Sequence, residues 1–289
     1  MFAQQIVNGL TLGAIYSLLA LGYSMIFGVL SFINFSHGDV AMIGAYMTWY
    51  VAESFGMNPL VAILSGITVS VILGVSIEFI GYRPIRRAPR LSMVIVSMGF
   101  SFVLSTAVQL IWGTRSLSMP SFVEKKTLNF GSFIINSMQL WILGVAIVIM
   151  VLLTLLINKT KVGMAMRAVA LDQPTSSLMG INVDRTITLT FALGSALGAV
   201  SGIMMASYYG VIYSTLGSLI GTKGFAAVVL GGAGSIPGAM LGGLIIGVIE
   251  SIAGALFNAQ IKEAAAFVIL ILVLLFKPSG ILGKDVTKE

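Results

Sequence analysis

Few residues in this chain of 289 could do chemistry. One group is the stretch Asn34-Phe35-Ser36-His37-Gly38-Asp39, which lies between two apolar runs and holds the only histidine. A helix broken there would place Asn34, Ser36, His37 and Asp39 along a water-filled cavity, the setting in which irregular backbone is tolerated at membrane depth. The plain alternative is a polar turn at the membrane interface, with His37 hydrogen-bonded to backbone. A metal centre needs several ligands, and with one histidine and no cysteine none is expected. Lys223 and Glu250 lie inside later apolar segments. An ionisable group within a span is by default a functional candidate, although these two can pair with each other. Glu78, just ahead of Tyr82 and Arg83, is expected to snorkel to the interface and meet an arginine.

These groups do not assemble into a catalyst. No G-x-x-x-x-G-K-[ST] loop is present: Gly283-Lys284 is followed by Asp285 and lacks the upstream glycine. The chain therefore has no phosphate-cradling loop with which to hydrolyse ATP. No Ser–His–Asp arrangement and no H-E-x-x-H occurs, and no cofactor is expected.

A different chemistry, that of docking, is carried by the 28 residues Asn158–Arg185, which interrupt the apolar sequence. Val162–Leu171 is rich in Ala and Met, both good helix formers. Asp172 can cap a second short helix with Pro174 in its first turn, and Gly180 suits the left-handed position that ends it. Asp184 can cap the next long helix. Two short helices would then expose Met164, Met166, Leu178 and Met179, flexible apolar side chains suited to a partner's groove. Gly163 and Arg167 belong to the same surface. The bland reading is a helix lying in the lipid interface.

These residues must be positioned by spans. The chain is 57% hydrophobic and 9% charged, against about 25% charged for a soluble domain. It is a polytopic membrane protein: an all-α transmembrane bundle forming one domain over 1–289. The net charge of +6 is not read as nucleic-acid affinity, because the basic residues sit in short loops where they set topology. Met1–Gln5 lacks the basic start of a signal peptide, so the first apolar run is expected to be retained. With about 20 apolar residues needed per span, the clear candidates are Ile6–Leu30, Leu60–Tyr82, Leu91–Trp112, Met138–Ile157 and Thr186–Tyr209. Val40–Ala52 is short, and Gly224–Gln260 is interrupted by Gly231-Gly232-Ala233-Gly234-Ser235-Ile236-Pro237-Gly238. Ile261–Phe276 is stopped by Lys277-Pro278. Eight to nine spans result, some broken or re-entrant.

The Tyr82–Arg90 loop carries four arginines and no acid, which marks it cytoplasmic. Asn158–Arg185 and the lysine-bearing tail follow on that side, if four crossings separate Arg185 from Lys277. The side of the N-terminus stays open. Gly194, Gly198 and Gly202 recur every fourth residue, as do Gly234, Gly238 and Gly242, ahead of Gly243 and Gly247; such series let helices approach closely.

In order along nearly the whole chain, the motifs resemble those of the branched-chain amino-acid ABC-transporter permeases of the LivH type. They are Asn8-Gly9-Leu10-Thr11-Leu12-Gly13-Ala14-Ile15-Tyr16, Ala20-Leu21-Gly22-Tyr23, Ile33–Asp39 and Tyr82-Arg83-Pro84-Ile85-Arg86. Further on come Arg167-Ala168, Gly180-Ile181-Asn182, Leu230–Ala239 and Lys277–Gly283. At Ser176 or Ser177 the family often has Ala. The resemblance implies a bacterial inner-membrane importer built from this chain, a second permease, two cytoplasmic ATPases and an external solute-binding protein. Asn158–Arg185 would be the coupling loop, with Gly163, Met164, Met166, Arg167, Asp172 and Gly180 at the ATPase. Asn34, Ser36, His37, Asp39, Gly231, Gly232 and Gly234 would line the pathway. The same family serves urea, short amides and other amino acids. A secondary transporter or channel would instead need coupling ions or a filter, and a membrane enzyme a clustered acid, base or metal site.

Overall fold

The computed structural model describes residues 2–86, 88–124, 126–129, 134–257, 259–277 and 279–283. It is a helical bundle. Its helices are α1 (Phe2–Leu30), α2 (His37–Phe55), α3 (Pro59–Ile85), α4 (Arg90–Trp112), α5 (Ser137–Lys159), α6 (Lys161–Leu171), α7 (Gln173–Leu178), α8 (Val183–Tyr209), α9 (Leu216–Gly231), α10 (Ile236–Leu256) and α11 (Ala259–Phe276). Two short antiparallel pairings join the loops: β1 (Leu117–Ser118) with β4 (Val211–Ile212), and β2 (Thr127–Asn129) with β3 (Ile134–Asn136). Among the described residues six helices are long and apolar enough to cross a membrane: α1, α3, α4, α5, α8 and α10. The stretch Gly224–Gln260 is divided between α9, α10 and α11, and the glycine segment is the link between the first two.

Local chemistry sets the ends. Asn58 accepts from the Leu60 backbone N–H at 3.0 Å and Pro59 sits in the first turn of α3, where its missing N–H costs nothing. Asn136 and Gln139 form a reciprocal capping box on α5. Ser235 caps α10 ahead of Pro237. The cap of α8 is Asn182, whose side chain accepts from the Arg185 N–H at 2.9 Å, and not Asp184 as expected; Asp184 lies within the first turn and is taken by a salt bridge.

α1 is the axis of the bundle. Nearly every residue from Thr11 to Ile26 is buried, and its two closest neighbours are α10 and α8. A β-carbon on Gly13 would lie 2.7 Å from the Leu244 Cα, and one on Gly247 2.2 Å from the Gly13 nitrogen. Gly243 and Gly247 thus face α1, whereas Gly238 and Gly242 of the same helix face α9. The α8 series meets α1 and α2: Gly194 lies by Ile26, Gly198 by His37 and Gly202 by the Ala41 carbonyl. Outward, α3, α4, α5 and α11 present apolar side chains such as Ile72, Phe102, Leu152 and Leu275.

Side-chain contacts fix the ends relative to one another. Arg86 pairs with Asp184 at 2.6 Å, bringing the two basic loops together. Gln173 donates to the Val29 carbonyl at 3.0 Å, so the C-terminal end of α1 lies there as well. The tail joins the same end, with the Leu282 N–H on the Gly231 carbonyl at 2.9 Å and Gly234 beside Gly28. At the other end Gln4 exchanges hydrogen bonds with Ile134, and Gln139 donates to Asn8 at 2.8 Å. The start of α1 thus lies at the end of the bundle opposite the arginine-rich loops, a relation that the loop charges alone leave open.

The glycine contacts predict a graded response. Gly247→Val should lower thermal stability of the detergent-solubilised protein by about 1–3 kcal/mol or prevent accumulation, as overpacking does. Gly144→Ala, where nothing lies within 4 Å, should leave the melting temperature unchanged or slightly raised. Equal effects at the two sites would contradict the packing described.

Candidate functional site

The segment between α5 and α8 forms a compact unit at the arginine-rich end of the bundle. Thr160 caps α6 by accepting from the Gly163 N–H at 3.1 Å. A β-carbon on Gly163 would fall 2.2 Å from the Ile157 carbonyl oxygen, so the chain turns sharply onto the end of α5 only because that residue is glycine. Gly163, Met166 and Val169, three residues apart, form the buried face of α6. Met166 is 4% exposed, which corrects the expectation that it is presented outward: helical spacing turns it toward α1 and α5. Met164 is exposed as expected. Exposed Arg167 donates to the Ile157 carbonyl and ties α6 to α5.

Asp172 caps α7, accepting from the Thr175 N–H at 2.7 Å, with Pro174 in the first turn. Gly180 takes the left-handed φ of 84° just beyond the end. Ser176 is buried, and its hydroxyl is satisfied by the Asp172 carbonyl at 2.7 Å. Leu171, Leu178 and Met179 are 86%, 88% and 79% exposed. With Met164 they make an apolar surface beyond the end of the bundle.

A buried acid ties α3 to α8 at the same end of the bundle. Glu78 is fully buried and does not snorkel; the arginines come to it instead, Arg86 at 2.9 Å and Arg83 at 3.2 Å. A π-helical turn over Glu78–Tyr82 brings Glu78 and Arg83, five apart, to one face. Thr188 of α8 donates to the same carboxylate at 2.9 Å.

The expected pathway residues separate in space. Asn34 Oδ1 accepts from Ser36 Oγ and from the Tyr82 hydroxyl, both at 2.7 Å. His37 is buried edge-on to Tyr23, with ring centroids 4.6 Å apart, and hydrogen-bonds to the backbone at Leu19. Asn34, Ser36 and His37 are thus enclosed by protein, with Tyr82 of α3 on Asn34 and with Tyr23 of α1 and Gly198 of α8 beside His37. Asp39 is buried as well, but it lies one hydrogen bond from open space: Ser101 of α4 donates to its Oδ2 at 2.5 Å, and Ser101 lines a cavity of about 130 Å³ between α1, α4 and α9. Gly231 is packed on Gly238, and Gly232 on Gly280 and Gly283, so these two carry the tail rather than line a passage. Gly234 opens onto a small cleft beside Arg167 and Ala170.

Lys223 and Glu250 pair at 2.6 Å, and the Tyr16 hydroxyl donates to the other carboxylate oxygen at 2.9 Å. Lys262 lies 3.5 Å from Glu250 and donates to the Tyr209 hydroxyl. Sequence reasoning missed Ser101, Tyr16, Tyr82 and Lys262. Ser97, Ser101 and Ser105 recur every fourth residue of an apolar helix, a stripe that could have marked one face of α4.

With this geometry in place, a family model described as the permease component of the branched-chain amino acid transport system matches residues 5–276. The chain belongs to that permease family. It is 41% identical over 296 residues to the high-affinity branched-chain amino acid transport system permease protein LivH of Escherichia coli K12, covering 98% of this chain and 96% of that one. BraD of Pseudomonas aeruginosa is likewise 41% identical, over 295 residues and the same shares of each chain. LivH of Methanocaldococcus jannaschii is 29% identical over 93% of this chain and 88% of its own. The fold resembles PsaBC from Streptococcus pneumoniae, with a TM-score of 0.54 at 12% identity over 94% of this chain and 91% of that chain. It also resembles an inward-facing putative metal-chelate type ABC transporter, with a TM-score of 0.52 at 18% identity over 95% and 87%. The permease is a multi-pass membrane transport subunit and not an enzyme.

The Lys223–Glu250 pair yields a test by double mutation. Glu250→Leu alone strands a buried ammonium and should destabilise the permease by about 3–5 kcal/mol, whereas adding Lys223→Met should recover much of that loss. Thermal melting of the single and double variants decides it; a double variant worse than the single would remove the pair from a purely structural role.

Proposed function

We propose that this permease is the membrane-spanning subunit of an ATP-driven importer in the cytoplasmic membrane, that its solutes are branched-chain amino acids, and that it works by alternating access. The observation that carries the reading is the α6–α7 unit: an apolar, helical surface at the basic end of a chain in this permease family, with no span of its own to pack against. A second permease would complete the pathway, two ATPases would receive α6 and α7, and an external binding protein would deliver solute. Gly163, Met164, Arg167, Asp172 and Gly180 then serve the coupling surface, and Met166 supports it from beneath. α2, α9 and α11 add broken or short segments to the six long spans, giving nine membrane segments.

Affinity purification from native membranes should recover a P-loop ATPase and a second permease. Arg167→Glu should cut ATPase recovery at least tenfold, about the 1.4 kcal/mol of one good contact, with the permease still membrane-inserted. Unchanged recovery together with unchanged leucine uptake would overturn the docking assignment. Uptake driven by an ion gradient, with no ATPase recovered, would make the chain a secondary transporter.

A further inference from the structure

α2 does not begin at a membrane surface. Ser70, midway along α3, donates to the Val40 carbonyl at 3.1 Å, and Ser101, the middle residue of α4, donates to Asp39. The first turn of α2 therefore lies about halfway across the bundle. α9 opens at the same depth, with Gly217 and Gly221 against Gly38. Two discontinuous helices meeting near the midplane is the arrangement in which transporters place solute.

Asp39 is 2% exposed, and among the described residues no Lys or Arg forms an ion pair with it. The other two acids buried in the bundle, Glu78 and Glu250, each hold at least one cation. A buried carboxylate without a cation is costly, and the N-terminus of α2 with the Ser101 hydroxyl offsets only part of its charge. The cavity beside it is lined by Ser101, Ser218 and Thr222 and by the rings of Phe35, Phe102 and Phe225. Ser218 and Thr222 are exposed on α9 at a depth where lipid would penalise them. Gly217 also lines it, and a β-carbon there would stand 2.6 Å from Asp39 Oδ1. Gly217 thus packs closely on Asp39, and Ser101 is the group shared by the carboxylate and the cavity.

We propose that this cavity is a mid-membrane station for the solute, in which the ammonium group of an amino acid is held at the Ser101 hydroxyl by the charge of Asp39 behind it while Phe35 and Phe225 hold an apolar side chain. The assignment rests on the amino-acid reading above and extends it to a residue and an atom.

The chain contains no cysteine, so Ser218→Cys provides a single thiol in this subunit, whose labelling in the purified complex is read on the separated permease band. Its reaction with a cationic methanethiosulfonate should exceed that with an anionic one of similar size at least tenfold, and adding Asp39→Asn should bring the two rates together. L-leucine at millimolar concentration should slow labelling by the cationic reagent, and 4-methylpentanoate, which keeps the side chain and carboxylate but lacks the ammonium, should not. A rate ratio unaffected by Asp39→Asn, equal protection by the two compounds, or a thiol that neither reagent reaches would each overturn the proposal. Leucine uptake by the unmodified complex separates the failures: uptake without the charge preference refutes this station alone, and no leucine uptake refutes the amino-acid reading itself.

Discussion

The bundle depends on the backbone contact between α1 and α10. Lipid tails are as apolar as leucine, so no hydrophobic effect drives one span onto another, and association must come from close packing and polar contacts. Gly9, Gly13, Gly243 and Gly247 let these two helices approach until a single methyl group would collide with main chain. Ser17 extends the seam by donating to the Met240 carbonyl at 2.7 Å. Because α1 is enclosed by α8, α9 and α10 as well, a shift of α1 cannot be absorbed locally and must be passed to its neighbours.

That constraint extends to the α6–α7 unit. α6 is held to the end of α5 by the Gly163 turn and by Arg167, and α7 holds the end of α1 through Gln173 and the Val29 carbonyl. The Glu78 cluster fastens α3 to α8 at the same end. A push on the exposed faces of α6 and α7 thus reaches the central helix through hydrogen bonds rather than through a flexible linker.

Much of this was legible in the residues. The apolar runs located the long spans, and the Asp172, Pro174 and Gly180 pattern located α7, because capping and left-handed positions are local chemistry. The Lys223–Glu250 pairing was foreseen as one option since few charges were available to answer either one. What was not legible depended on which way a helix face turns. Met166 was expected outside and lies inside, because it packs toward α1, far away in sequence, as well as toward the end of α5. Asp184 has the right type for a cap, yet Arg86, from a loop 98 residues earlier, claims its carboxylate. Gly232 was expected along a passage, and the space beside it is taken by Leu282 and Gly283 of the chain's own tail.

The three buried acids separate structure from function by their partners. Glu78 binds loops and Glu250 binds spans, and each is neutralised by cations within the chain. Neither can change partner without a loss of several kcal/mol, so neither suits a solute that must leave. Asp39 sits where two helices are interrupted and is offset only by a hydroxyl and a helix end. An interaction left incomplete in the resting bundle can be completed by a passing ligand and released again when the helices around it move. The same bilayer that forces charges to be paired elsewhere makes this site selective for a ligand that brings its own positive charge.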